Sequence, residues 1–317
     1  MLPERFRVKP LPTLFNILRP PTWTSTSSAR EQLRRAASSH ESELTTESEA
    51  LKTWQAIESS IRELILKEDP DHFLRWDPIL KTMFTGGRVA RRGYTGIEVG
   101  VLKSSEEWER WKSALREDPV GNPFLWSLRP ATSGNLIHGA YHLARFSAVS
   151  GERLEDCDVV FEFGGGYGSM RRLFAKLGFK GAYILFDFPL LIALQRFFLE
   201  SLGLKVVDNP HELEPGQTLV VSSIEQLEAA IGSARGRRGF IATWSLSESP
   251  AELQLRIVRM IREFDEFLIG YRERFRELDN RSGLDNWLRA LPDVDWTGEA
   301  IAHLPTTRYL FGHRTSR

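Results

Sequence analysis

The sequence predicts an α/β fold, a mostly parallel sheet with helices on both faces, preceded by a mostly helical N-terminal region. Three observations predict it. From Asn135 onward, short apolar runs alternate with amphipathic helical stretches, as in parallel sheets whose crossovers are helices. A glycine cluster, FEFGGGYG, stands where the first of these runs turns into a helix. Before Gly121, apolar side chains recur at helical spacing.

Composition bounds the function. The chain has 317 residues, 41% hydrophobic and 26% charged, enough for one large core plus a smaller domain. Forty-two basic residues balance forty-two acidic ones, so bulk charge gives no reason to expect nucleic acid or an anionic membrane. A small-molecule ligand is expected instead. The single cysteine, Cys157, excludes an intrachain disulfide framework and a multi-cysteine metal site, and fits a reducing compartment. Prolines interrupt MLPERFRVKPLPTLFNILRPPTW, which argues against a secretory signal. No apolar run reaches the roughly 18 residues of a membrane span. A cytoplasmic location is expected; the oligomeric state is not readable.

Thr22 to Glu49 is rich in Ser, Thr, Glu and Arg and poor in large apolar side chains, which predicts a loosely ordered or solvated arm over residues 1–50. Leu51, Trp54, Ile57, Ile61, Leu64 and Ile65 then mark an amphipathic helix that stops near Asp69-Pro70. Irregular structure is expected from Phe73 to Tyr94, around Gly86-Gly87. Ser104 and Glu107 have capping-box spacing ahead of a helix carrying Trp108, Trp111 and Leu115. Residues 51–130 thus read as a helical accessory or cap region. Turn formers in GNPFLWSLRPATSGN, Gly121 to Asn135, mark the boundary with a sheet domain over residues 131–317.

In that domain a helix from Leu136 to about Phe146 precedes strand Val159–Phe163, helix Ser169–Leu177, strand Ala182–Phe186 and helix Leu190–Leu202. Leu204–Val207, Thr218–Val221 and Gly239–Trp244 read as further strands. Ser249, Pro250 and Glu252 supply an N-cap, a first-turn proline and a capping-box partner for a helix running to about Phe264. Phe267–Tyr271 and Arg308–Gly312 are late strands.

Glycines after a first strand allow a tight turn and let a ligand approach bare backbone. The spacing departs from the dinucleotide signature G-x-G-x-x-G, since the sixth position from Gly164 is Ser169. The pattern is E-x-G-x-G-x-G, from Glu162 through Gly164, Gly165, Gly166 and Tyr167 to Gly168. It resembles the first motif of class I S-adenosylmethionine-dependent methyltransferases. Asp187 ends the second strand, where two carboxylate oxygens can accept from both hydroxyls of a ribose. An adenosyl nucleoside is the expected ligand. Glycine turns and strand-end acids also occur for structural reasons alone.

The blocks GNLIHGAYHLARF, FEFGGGYGSMRRLFAKLGFKGAYILFDFP, FIATWSLSESP and AHLPTTRYLFGHR resemble those of the bacterial sugar O-methyltransferase family from Asn135 to the C-terminus. FEFGGGYG and LFDFP also resemble plant small-molecule O-methyltransferases. The resemblance implies a Rossmann-like class I methyltransferase domain, S-adenosyl-L-methionine as cofactor, and a sugar or glycosylated metabolite as acceptor. It places Glu162, the glycine loop with Tyr167, Asp187, Ser222, Ser223 and Trp244 at the cofactor, the two serines at the adenine edge.

A sugar hydroxyl is a poor nucleophile at neutral pH and calls for a base or a metal. In this fold the end of the fourth strand lies beside the reacting methyl, making Glu248 in TWSLSESP the nearest carboxylate base. It also lies just ahead of a helix, where an acid favours the dipole. His138, four residues before His142, and His303, before the last strand, are the histidine candidates. HGAYH lacks the glutamate of the zinc-protease pattern and no third ligand is placed by spacing, so no metal is expected. Asp279-Asn280-Arg281 reads equally as a sugar contact or a turn. Two rival functions remain, a nicotinamide-dependent oxidoreductase, disfavoured by the loop spacing, and a non-catalytic nucleoside-binding protein of the same fold.

Overall fold

A computed structural model describes residues 17–18, 22–39, 48–83, 94–126 and 131–315. In chain order it contains β1 (Ile17–Leu18), α1 (Ser27–Ser39), α2 (Glu49–Lys67), α3 (Asp77–Thr82), α4 (Tyr94–Ser104), α5 (Trp108–Ala114), β2 (Leu125–Trp126) and α6 (Gly134–Ser150). The sheet domain continues with β3 (Val159–Phe163), α7 (Ser169–Lys176), β4 (Ala182–Phe186), α8 (Pro189–Ser201), β5 (Val206–Val207), β6 (Thr218–Val221), α9 (Ile224–Ser233) and β7 (Arg238–Thr243). Then come α10 (Ala251–Met260), β8 (Glu266–Arg272), the short hairpin β9 (Arg274–Phe275) and β10 (Leu278–Asp279), α11 (Asn280–Ala290), β11 (Val294–Ala300) and β12 (Thr307–Arg314).

Eight strands form one sheet in the order β11-β12-β8-β7-β3-β4-β6-β5. From β8 through β5 every pairing is parallel, while β12 runs antiparallel to both β8 and β11. Order reverses between β3 and β7, and at such a switch point a parallel sheet opens a crevice beyond the carboxyl ends of its strands. The strands are apolar on both faces because both are covered. In β4, Tyr183 and Leu185 face one apolar layer, and Ala182, Ile184 and Phe186 the other, the period of two that a pleat dictates.

The layer holding Tyr183 extends without a break into the N-terminal helices, through Ile61, Ile65, Phe73, Ile79, Val99, Leu102 and Trp111. Helix α1 packs on α8 and α2, burying Leu33 and Ala37, and Ser25 and Arg30 bond to the buried Asp71. That face of the expected solvated arm is therefore packed, because two apolar positions and one ion pair give the polar segment something to bury. Residues 1–16, 19–21 and 40–47 of the arm, and Gly86-Gly87, lie outside the described residues.

Two local expectations are corrected, and one open reading is resolved. The Ser104–Glu107 capping box does not form, since Ser104 Oγ donates to Val101 O and Ser105 accepts from Glu107 N instead. Ser249 does not cap α10. A tight turn at Leu246–Glu248 brings Ser249 Oγ to Ser245 O at 2.9 Å, and Pro250 becomes the residue before the helix. Asp279 caps α11 through Arg281 N, and Asn280 ties Ser247 O to Arg272 O, which makes that polar cluster a structural turn.

Candidate functional site

The crevice is a cleft of about 1220 Å³ between the ends of β3, β4 and β7 and the N-terminal helices. Its floor is the glycine turn. Gly164 sits at φ 76° and donates to Phe186 O at 2.8 Å, while Ser245 Oγ donates to Phe163 O. A Cβ on Gly164 would lie 2.3 Å from Ser245 Cβ, so only glycine lets the turn close against Ser245, the second residue beyond β7. Gly166, at φ 60°, presents its amide to Asp187 Oδ2 at 3.1 Å. Gln195 of α8 bridges the two, donating to Asp187 Oδ2 at 2.9 Å and to Gly166 O at 3.1 Å.

Asp187 Oδ1 accepts from Phe188 N at 2.9 Å. Oδ2 thus carries two bonds and Oδ1 one, out of about four acceptor directions on a carboxylate. Where the sequence reading had both oxygens free for ribose hydroxyls, the protein's own donors leave one acceptor direction open, on Oδ1. Burial pushes the Asp187 carboxyl up to about 7 against the pull of these amides. Glu162 lies beneath the loop, 3.3 Å from where a Cβ on Gly165 would sit, and accepts from Tyr183 Oη at 2.8 Å. Burial pushes it to about 8, against that hydrogen bond and helped by the charge of Asp187.

The remaining expected cofactor residues divide. Gly168 is the cap residue of α7 and does not line the cleft, Ser222 and Trp244 do, and the Tyr167 ring is buried against Phe73 and Phe198 with its hydroxyl taking a bond from Asn135 at 2.8 Å. Ser223 does not line the cleft. Its hydroxyl accepts from Gln226 N and caps α9, the commonest use of a serine at a helix start. Trp244 holds φ 72°, a left-handed conformation costly for a tryptophan, and its ring stacks on His138 at 6.2 Å.

The three expected catalytic residues also separate. Glu248 lines the cleft, buried, with Arg272 Nε donating to Oε1 at 2.7 Å and Trp54 of α2 bonding the same carboxyl. Burial raises its proton affinity, with Arg272 and Trp54 opposing. His138 lines the cleft as well. His303 does not; its Nε2 bonds Glu98 Oε1 at 2.8 Å, and His138 Nδ1 reaches that same oxygen at 2.7 Å. Among the described residues no three His, Cys, Asp or Glu side chains group to hold a metal ion.

Sequence reading missed Glu98, Gln195 and Trp54. The available signal for Glu98 was an acid inside the apolar stretch YTGIEVGVL, which must be paired if that helix is buried. Gln195 carried none, being one polar residue in an apolar helix.

The groups present fit an adenosyl nucleoside with an amino-acid tail: bare backbone at Gly164 to Gly166, a carboxylate with one oxygen still open, and apolar wall from Phe188 and Trp244. No family model matches the chain, and no curated protein matches it. Solved structures that resemble it include "PigF with SAH", 16% identical, covering 56% of this chain and 59% of that one at a TM-score of 0.36. An O-methyltransferase family protein from Burkholderia thailandensis is 11% identical, covering 73% and 72% at 0.38. The METTL16 methyltransferase domain is 11% identical, covering 56% and 68% at 0.40. This chain therefore spans less than two thirds of PigF, and identities and scores this low say nothing of what it binds. The fold rests on the strands themselves: an eight-stranded sheet, parallel but for β12, with a glycine turn after its first central strand, is a Rossmann-like α/β sheet.

Proposed function

We propose that this chain is an S-adenosylmethionine-dependent methyltransferase acting on a hydroxyl of a sugar or glycosylated small molecule. The observation that carries the reading is the bond from Gly166 to Asp187, which sets a bare turn and a strand-end carboxylate side by side at the switch point of the sheet. Bound there, S-adenosylmethionine supplies an electrophilic methyl group on sulfur.

The chain's own residues would do the rest. Asp187 Oδ1 accepts a ribose hydroxyl, and Gly164 to Gly166 present bare backbone to the tail. On the other side of the cleft, Trp54, Phe275 and Arg272 offer aromatic and hydrogen-bonding surface suited to a polyol. His138, stacked on Trp244 beside the turn, is the histidine candidate for the proton of the acceptor hydroxyl. Glu248, engaged with Arg272 and Trp54, orients the acceptor.

Calorimetry with S-adenosylhomocysteine and with a nicotinamide dinucleotide, followed by mass detection of methylated product from a panel of sugars, glycosides and RNA oligonucleotides, tests this. Binding of the first ligand only, with methylation of a sugar hydroxyl, supports it. Methylated RNA or nicotinamide binding would replace it.

A further inference from the structure

Arg272 ends β8, at the carboxyl end of the sheet beside β7. Three of its groups are already engaged: its backbone N–H donates to Ser247 Oγ at 3.2 Å, its carbonyl accepts from Asn280 Nδ2 at 3.0 Å, and its Nε donates to Glu248 Oε1 at 2.7 Å. Glu248 is itself buried and bonded by Trp54, so the guanidinium is anchored along one edge by a fixed acid. Its two Nη groups take no partner among the described residues, and the side chain, 44% exposed, lines the cleft. A guanidinium carries five N–H donors, and those left after the Nε bond lie in the planar fork that grips an oxyanion through two parallel bonds. Lys81, the other Lys or Arg lining the cleft among the described residues, is paired with Asp77 one turn back on α3.

We infer that Arg272 reads a carboxylate on the acceptor, so that the sugar methylated in the proposed reaction is an acidic one, a uronic acid or a glycoside of one. The inference rests on the function proposed above and narrows its substrate class. Glu248 and Glu252 line the same cleft, so the second negative charge of a phosphate would be set against both, whereas the single charge of a carboxylate is matched by the one fork. Trp54 and Phe275 offer apolar surface to the sugar ring, and a fork held at its Nε and its backbone fixes which way round that ring lies. Orientation of that kind decides which hydroxyl faces the methyl group.

The test is calorimetric titration of matched sugars into wild type, Arg272→Gln and Arg272→Lys, each with and without S-adenosylhomocysteine. The sugars are methyl glucuronide and methyl galacturonide, their neutral hexosides, and the corresponding hexose 6-phosphates. Wild type should bind a uronide at least about tenfold more tightly than its neutral counterpart, the worth of bonding to a charged group. Arg272→Gln should abolish that ratio. The ratio is read rather than either affinity because the variant also takes a partner from Glu248, which affects both sugars alike. Arg272→Lys keeps the charge without the fork and should retain part of the ratio, and it carries the test if circular dichroism shows that the glutamine variant does not fold. A panel in which no uronide outbinds its neutral counterpart, a ratio unmoved in every folded variant, or phosphates favoured over uronides overturns the inference. If S-adenosylhomocysteine does not bind, the proposed function fails instead, and the titrations of sugar alone still report on Arg272.

Discussion

Gly166 and Asp187, 21 positions apart, are joined by one hydrogen bond of 3.1 Å and by Gln195, which bonds to both. The turn and the acid are thus one rigid unit before any ligand arrives, and an ordered site loses less entropy on binding.

Asp187→Ala removes the carboxylate from that unit. With one open oxygen, the loss is one bond to a charged acceptor, about 1.5–3 kcal/mol, or roughly 10- to 150-fold in S-adenosylhomocysteine affinity. Gln195→Ala keeps the acceptor and loosens the turn, so its loss should be smaller. Calorimetry of both variants, with circular dichroism confirming the fold, decides this. Unchanged affinity in folded Asp187→Ala would falsify the ribose role.

Stability should fall as pH rises toward 8. Asp187 is pushed up to about 7 and Glu162 to about 8, both above the range near 4 of an unfolded carboxyl. Between those limits the folded chain keeps protons that the unfolded chain has released, so the unfolded state binds fewer and stability drops with pH. Below that window the sign reverses, because Glu98 and Asp118 are held under their usual range and their pairings are lost on protonation. Urea midpoints of the free protein between about pH 4.5 and 8.5 measure the slope, which Asp187→Asn should flatten. A slope equal in both proteins removes Asp187 from the account.

Why some of this was legible in the sequence and some was not follows from burial. Strands β3, β4 and β6 begin and end where the apolar runs do, because strands covered on both faces are buried along their whole length. Strand β11, VDWTGEA, went unread because it is an edge strand whose exposed positions carry Asp, Thr, Gly and Ala. The turn and Asp187 were readable because both lie in one strand-helix-strand unit. Glu98, His138 and His303 share no local pattern, and only tertiary packing brings them to one oxygen.

Glu248→Gln distinguishes an acceptor contact from a base. The amide keeps the shape of Glu248 but weakens its hold on Arg272, so acceptor KM should rise while kcat falls by less than about tenfold. S-adenosylhomocysteine affinity should stay near wild type. A base lost at this position would instead cost about 10²–10⁴ in kcat. Steady-state kinetics on the native acceptor separate the two, and a fall of the larger size returns the proton to Glu248.

The last prediction contrasts two glycines of one turn. Alanine at either pays about 1–2 kcal/mol for a left-handed backbone, since Gly164 and Gly166 sit at φ 76° and 60°. Gly164→Ala adds a collision, its Cβ arriving 2.3 Å from Ser245 Cβ, which overpacking measurements put at a further 1–3 kcal/mol or so. Gly166→Ala meets Met83 Sδ at 3.3 Å, the far end of a flexible side chain that can move aside. The first variant should therefore lose mainly stability, and the second mainly affinity, because its methyl group displaces Met83 along the wall of the cleft. Urea unfolding with and without S-adenosylhomocysteine reads both quantities in each variant. If Gly166→Ala binds as wild type does while Gly164→Ala is destabilised, the turn is a structural corner and the ligand lies elsewhere in the cleft.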